Sequence, residues 1–322
     1  MYKRQIYSPI RVHLPGTPEG ELQPLLDAIV QQVDVRTGLV VWEWHSYGHI
    51  PLSDSHATPA NSASFDAYHI NSVQALGRNK VLISARDTSA LYKVDRPSGR
   101  VVWVLGGRSS DFGLGRGARF HFQHDARMLP GRRISVFDDE AGPPQLAPSS
   151  RGLVLQLSGH PRRATVARQY HRQADTSAQS EGSMQTLADG DVFVGWGAQP
   201  FLSQFSARGR LLFDASLPED DGSYRVYRAP WSATPKTQPI AVASRTDGSN
   251  VSVYASWNGA TEAARWEVLA GSSADAMVPV GGASKAGFDT AIQIPAGAKL
   301  YAVRALDASG QALASSNAVA AK

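Results

Sequence analysis

Two histidines carry the chemistry this sequence offers most openly. His69 opens the stretch "HINSVQALGRNKVLISAR" (69–86) and His124 opens "HDARMLPGRRISVFDD" (124–139). Each stretch is an apolar strand, a glycine-containing turn and a second apolar strand. A neutral imidazole is a nucleophile, or an acid and base with a pKa of about 6.5. Asn71 follows His69 by two residues, and strand side chains alternate, so the two face one side. Arg86 closes the second strand of that hairpin with a planar fork of donors that stays charged. Two imidazoles, an amide and a guanidinium suit an anionic group with three oxygens.

The elements that must position these residues repeat. "VQQVDVRTGLVVWEW" (30–44), "LYKVDRPSGRVVWVLGG" (91–107) and "FLSQFSARGRLLFDASL" (201–217) are hairpins whose turns end in glycine. They alternate with the two histidine-led hairpins and with "GSMQTLADGDVFVGWG" (182–197). Paired in order, they predict four-stranded antiparallel units over 69–107, 124 to about 170, and 182–217, preceded by the outer half of another. This is the pattern of β-propeller blades. "SYRVYRAPW" (223–231) is read as an extra strand, and the insertion 45–68 as a functional loop between blades. The first strand of a blade lines the central channel. His69 and His124 are therefore expected at equivalent positions of successive blades, 55 residues apart (124 less 69), converging on one channel mouth. Ser180 is the polar residue expected near that position in the third blade.

A propeller closes with at least about four blades, and this sequence shows about three and a half. "MYKRQ" runs directly into the strand-like "IYSPIRVHL", which reads as a translated adapter joined to an incomplete gene. The expectation is a propeller over 1–231 that lacks its N-terminal blades. A Pro, Thr and Ser linker (232–239) follows, and then short alternating strands over 240–322 that resemble a fibronectin type III sandwich, with Trp257 in its core and Tyr301 near the corner tyrosine position. The fold class is thus all-β, a partial propeller followed by a small β-sandwich.

Composition narrows the function. With no cysteine there is no disulfide framework, thiolate metal site or thiol nucleophile. The net charge of +4 is dispersed, which argues against nucleic acid as a partner. No apolar run approaches the roughly 20 residues that span a bilayer. Trp42 and Trp103 repeat at one blade position and are read as core. Trp196, flanked by glycines in "VGWGAQP", is either packing or a stacking platform for an aryl group at the channel mouth. His121 and Asp125 offer a metal-site alternative that strand alternation disfavours, and "DD" (138–139) is read as a turn.

The ordered set "VDVRTGLVVWEWHS", "HINSV", "ISARDTS", "YKVDRPSGRVVWVLGG", "QHDAR", "GWGAQP" and "SYRVYRAPW" resembles the arylsulfotransferase family, in its actinobacterial and fungal-type branch, over most of residues 20–231. The resemblance implies transfer of a sulfuryl group from an aryl sulfate to a phenol, without a nucleotide donor or other cofactor, by ping-pong chemistry through a sulfohistidine. His124 then resembles the nucleophile, His69 the acid and base, Asn71 a contact to the sulfuryl oxygens and Arg86 the sulfate-binding arginine. A further channel histidine of the studied enzymes belongs to an earlier blade whose segment is absent here, and His45, His49 and His56 do not match its motif. The family also implies a secreted or cell-surface location, with the sandwich touching a surface or glycan. Two other readings stand beside this one: a non-catalytic binding propeller, and a metal-dependent ester hydrolase holding an ion between His69 and His124.

Overall fold

Asp34 and Asp95 show how the sequence makes its hairpins. Asp34 Oδ1 accepts the backbone N–H groups of Arg36 and Thr37, and Gly38 closes the turn with φ 72°. Asp95 accepts the N–H of Ser98, and Gly99 takes φ 70°. The aspartate satisfies turn donors, while glycine enters the left-handed region at no steric cost.

A computed structural model describes residues 2–14, 21–58, 64–142, 145–172, 176–246 and 248–322. The chain divides into two compact units, Met1–Arg228 and Ala229–Lys322.

The first unit is four consecutive antiparallel sheets. The first holds β1 (Tyr2–Val12), β2 (Gln23–Val33) and β3 (Val40–His45), in that order. The second is β4 (Ile70–Leu76), β5 (Lys80–Ala85), β6 (Ala90–Asp95) and β7 (Val101–Gly106). In the third, β9 (His124–Leu129), β10 (Arg133–Asp138), β11 (Arg151–Gly159) and β12 (Arg162–Tyr170) form the blade, and β8 (Gly113–Leu114) adds in parallel beside β12. The fourth is β13 (Ser183–Thr186), β14 (Val192–Gly195), β15 (Phe201–Phe205) and β16 (Leu211–Ser216). The three four-stranded units follow the predicted spans closely, and β1 gives the first sheet a strand the repeat did not reveal. "SYRVYRAPW" joins no ladder. Its backbone is held beside β13 by side chains instead, Val226 N–H on Ser183 Oγ and Arg228 N–H on Gln185 Oε1.

Strands β5, β10 and β14 are buried on both faces, because a hydrophobic layer lies on each side of their sheets. Leu25, Trp44, Tyr68, Ile83 and Tyr92 fill the layer between the first and second sheets. Leu82, Leu105, Phe120, Ile134 and Leu153 fill the next, and Phe137, Tyr170, Met184, Trp196 and Phe205 the third. Each buried Leu, Ile or Phe contributes roughly 1.5–3 kcal/mol of transfer free energy, so the sheets hold one another by their faces, as blades do. Strand β4 touches both β1 and β9, and β9 touches β13, which places the histidine-led strands along one inner surface.

The second unit is a β-sandwich. One sheet is β17 (Ile240–Arg245), β18 (Asn250–Ser256) and β21 (Asp289–Pro295), and the other orders β20 (Met277–Ser284), β19 (Arg265–Gly271), β22 (Leu300–Leu306) and β23 (Ala312–Ser315). Trp257, Trp266 and Tyr301 are buried between them.

Candidate active site

The strand register corrects the expected equivalence of the two histidines. Leu76 pairs with Lys80 and Leu129 with Arg133, so successive blades are related by 53 residues (129 less 76), not 55. The loops agree: Asp87 N–H donates to Tyr68 O at 3.2 Å, and Glu140 N–H to His121 O at 3.2 Å. His124 is therefore the counterpart of Asn71, Phe122 that of His69, and Asp139 that of Arg86. His69 precedes the ladder with φ 49° and Asn71 is bulged out of it, so the strand period of two does not relate their side chains.

His69 sits just before β4 in a left-handed conformation, φ 49°. Asp66 holds it there: one carboxylate oxygen accepts the His69 N–H at 2.9 Å, and the other takes Nδ1–H at 2.8 Å. Strain of this kind persists only where neighbours over-determine it. The hydrogen bond to Asp66 raises the His69 pKa above its usual value against the opposing effect of burial, and the charges of Asp66 and Asp87 add to it. Nε2 is left for other chemistry. Asp66 comes from the end of insertion 45–68, whose Ile50, Phe65 and Tyr68 are buried between the first two sheets. Residues 59–63 of that insertion lie outside the described residues.

His124 has the opposite environment. It is 3% exposed, and its Nδ1 lies 2.8 Å from Oδ2 of the fully buried Asp139. Burial, with the positive charges of Arg86, His69 and Arg225, pushes the imidazole pKa down to about 3. With the carboxylate accepting, Nδ1 carries the hydrogen and Nε2 keeps its lone pair. Burial raises the Asp139 carboxyl well above its usual range, opposed by Arg86. Asp139 is thus no turn residue. Its partner in "DD", Asp138, is equally buried and accepts from Arg151 and from the His121 backbone.

Arg86 lies over the Phe122 ring at 5.0 Å, donating to Asp87 Oδ1 at 2.6 Å and Gln179 O at 3.1 Å. It lines a cavity of about 500 Å³ with Gly142, Gln145, Gln179 and Ser180. Asn71 is the bulged residue of β4, between the pairs Ile70 with Ala85 and Ser72 with Ser84. Its Nδ2 is committed to Gln123 O at 2.7 Å, while its buried Oδ1 has no partner among the described residues. Trp196 does not reach the channel. It is fully buried, edge-on to Phe137 at 5.8 Å, with its indole N–H on Ser203 Oγ, so no ring face is open to an aryl group.

Sequence reasoning missed four contributors besides the two aspartates' roles. Tyr7 donates to Ile70 O at 3.3 Å and stands 6.4 Å from His69, ring to ring. Tyr224 stands edge-on over His124 at 6.3 Å. Arg225 donates to Asn71 O at 2.7 Å and lies 3.5 Å from Asp125. Glu181, at the head of the fourth sheet, opposes the cations around His124.

The metal alternative finds different residues. His121 pairs with Glu140, and Asp125 with Arg127, so they do not converge. Among the described residues the trio Asp66, His69 and Asp87 has ligand atoms within 4.8 Å of one another. There the His69 Nδ1–H and the Arg86 guanidinium already occupy the carboxylates.

A model of the Arylsulfotransferase (ASST) family matches residues 8–217, about two thirds of the sequence. The chain belongs to the arylsulfotransferase family. The match runs from within β1 through β16, beginning just after Tyr7 and ending before Tyr224 and Arg225. No curated protein matches the chain. Among solved structures, a protein of unknown function from Bacteroides caccae is 13% identical, with 90% of this chain and 89% of that one covered at a TM-score of 0.36. Hydrazine synthase of Kuenenia stuttgartiensis is 12% identical (80% and 68% covered, TM-score 0.33), and virginiamycin B lyase from Staphylococcus aureus is 6% identical (99% and 88% covered, TM-score 0.34). At these scores none bears on what this arylsulfotransferase family member does.

Proposed function

We propose that this protein transfers a sulfuryl group from an aryl sulfate to a phenol through a sulfohistidine at His124. The observation that carries the reading is the pair of imidazoles, each with Nδ1 fixed by an aspartate, one held neutral and the other raised toward the cation. Environments that push two titratable groups apart are how one site runs acid and base chemistry at one pH.

In the first half-reaction, Nε2 of His124 attacks sulfur in line and the sulfur–aryl oxygen bond breaks. The departing phenolate, whose conjugate acid has a pKa of about 10, takes the proton from Nε2 of cationic His69. Arg86 balances charge on the sulfuryl oxygens, a task that positioning and electrostatics perform with little covalent help. The sulfated imidazole keeps its Nδ1–H against Asp139. In the second half-reaction a phenol oxygen attacks sulfur, the nitrogen–sulfur bond breaks, and the phenolic proton passes to His69. Tyr7 and Tyr224, 39% and 46% exposed, flank the two imidazoles and supply ring faces for the aryl groups. Asn71, with its amide nitrogen committed to Gln123, shapes this wall through its carbonyl contact to Arg225. Extracellular or cell-surface action and a fibronectin type III-like role for the sandwich in surface or glycan contact complete the proposal. No helix of the described residues is long and apolar enough to cross a membrane.

One observation favours a binding propeller instead: His124 is almost covered, with Tyr224 across it. Incubation with 4-nitrophenyl sulfate, followed by quenching and peptide mass analysis, separates the two. An acid-labile sulfuryl adduct on the peptide containing His124, absent in His124→Ala, with phenol-dependent release of nitrophenol, is the expected result. A folded protein that forms no adduct and releases no nitrophenol across a panel of aryl sulfates is a binding propeller.

A further inference from the structure

We propose a second ligand site, for an aromatic anion, in the cleft between the second and third sheets at the end of the blades remote from His69 and His124. The two histidines open β4 and β9, whereas this cleft is framed by the β9–β10 and β11–β12 turns, at the opposite ends of the strands. Its cavity measures about 340 Å³, within the range of small-molecule pockets.

The floor is aromatic. Trp103 and Phe112 meet edge to face, 5.5 Å apart at 83°, and Met128 and Leu157 extend the apolar wall. Trp103 repeats the blade position of Trp42, but the two differ in one respect. The Trp42 indole N–H is used by Arg96 O at 3.0 Å, whereas that of Trp103 meets no acceptor among the described residues. A donor at a cavity wall is available to a ligand oxygen.

The rim is cationic. Lys93, the cross-strand partner of Trp103, places Nζ 6.0 Å from the indole ring centre, and the Arg162 guanidinium lies 5.9 Å from the centre of Phe112. Arg132 and His160 complete it. A Cβ at position 159 would fall 2.6 Å from Arg132 Nη2, so Gly159 is what admits that guanidinium to the cleft. Against these charges stands Asp111, 3.6 Å from Arg162 in a half-exposed pair. Lys93 and Arg132 have no carboxylate partner among the described residues. One cation lying over one ring is ordinary surface covering. Three cations and an imidazole around a shared aromatic floor, with a single carboxylate among them, match a ring that carries its own negative charge. The ligand class is an arene bearing a sulfonate, sulfate or carboxylate: the ring packs into the corner between Trp103 and Phe112, against the face of one and the edge of the other, and the anion is held by Lys93 and Arg132.

Calorimetric titration of the whole chain with 2-naphthalenesulfonate tests this, with 2-naphthol as the uncharged ring and inorganic sulfate as the ringless anion. In an Arg86→Ala background, which disables sulfonate binding at the histidine site, the expected result is one saturable site that adding Lys93→Ala and Arg132→Ala weakens at least about tenfold, since two charge-assisted contacts are lost. Arg86→Ala leaves this site intact, which distinguishes it from the histidine site, and the Lys93→Ala, Arg132→Ala double variant that keeps Arg86 turns over aryl sulfates normally. Both substituted side chains are partly or fully exposed, and thermal melts of the variants are the check that the fold is kept. The proposal is overturned by the absence of a saturable site in Arg86→Ala, by binding in that background that survives Lys93→Ala and Arg132→Ala, or by naphthol or sulfate binding there as tightly as the sulfonate.

Discussion

Asp139 and His124 face each other across the inner hairpin of the third blade, Oδ2 to Nδ1 at 2.8 Å, with side chains 0% and 3% exposed. In the blade before it, the same two positions hold Arg86 and Asn71. One pair of register positions thus carries a carboxyl with an imidazole in the third blade and a cation with an amide in the second. The blades set the positions, and the side chains differentiate them into a nucleophile with its orienting acid beside an anion clamp.

Asp139→Asn is therefore a test of orientation and not of stability. The amide can donate to Nδ1, which moves the imidazole hydrogen to Nε2 and removes the attacking lone pair. We expect adduct formation to fall by about four orders of magnitude, as for the matching exchange in a serine-protease triad. Because burial disfavours the Asp139 charge, the melting temperature at pH 7 should hold or rise. A variant that keeps its rate to within tenfold removes Asp139 from the mechanism.

The pH profile should report His69. Its first task requires the cation, so sulfuryl transfer to His124 should decline as pH rises through a pKa above about 6.5. Asp66→Asn removes the largest cause of that shift, and the declining limb should move to lower pH with little change in KM for the aryl sulfate. A limb that stays in place assigns the titration to another group. Stability follows the same sign: the Asp66 contact stabilises fully below the unfolded pKa and is lost as pH rises through the folded one.

Most of the fold was legible because propeller blades are local. Hairpins, Asp and Gly turns and alternating apolar runs recur within forty or so residues, and the second to fourth sheets fall where the repeats put them. The histidines were legible as chemistry but misplaced in register: counting histidine to histidine gives 55 residues, while the turn-anchored pairs Leu76 with Lys80 and Leu129 with Arg133 give 53. Anchoring on "ALGRNK" and "MLPGRR" would have aligned Arg86 with Asp139 and rescued the latter from being read as a turn. Trp196 misled because flanking glycines suggest an open surface. Here they make room for packing neighbours, Val226 against Gly195 and backbone against Gly197. Tyr224 and Arg225 are about 100 residues beyond His124 in sequence, and only the return of their segment to the inner strands brings them to the site.

Acid should destabilise the folded protein through His124. Its folded pKa of about 3 lies below the unfolded value of about 6.5, so between those limits the unfolded chain binds the extra proton. Stability should be lost as pH falls below about 6.5, at up to roughly 1.4 kcal/mol per pH unit from this group. Thermal melts from pH 7 to pH 4 of wild type and His124→Gln measure it: the variant should show the shallower fall. Parallel curves would mean that His124 charges in place without cost.

Trp196 separates packing from recognition. Its indole fills the layer between the third and fourth sheets, so Trp196→Ala should cost about 3–5 kcal/mol through the cavity it leaves. Trp196→Phe retains most of the volume and loses the hydrogen bond to Ser203, which keeps its own donor bond to Asp214 at 2.5 Å. That change should cost about 1 kcal/mol and leave KM for aryl sulfates within a factor of about two, since no ring face is open to the channel. A selective rise in KM at unchanged melting temperature would return Trp196 to the channel wall and require the fourth blade to open in solution, exposing β13 and β14 to the substrate.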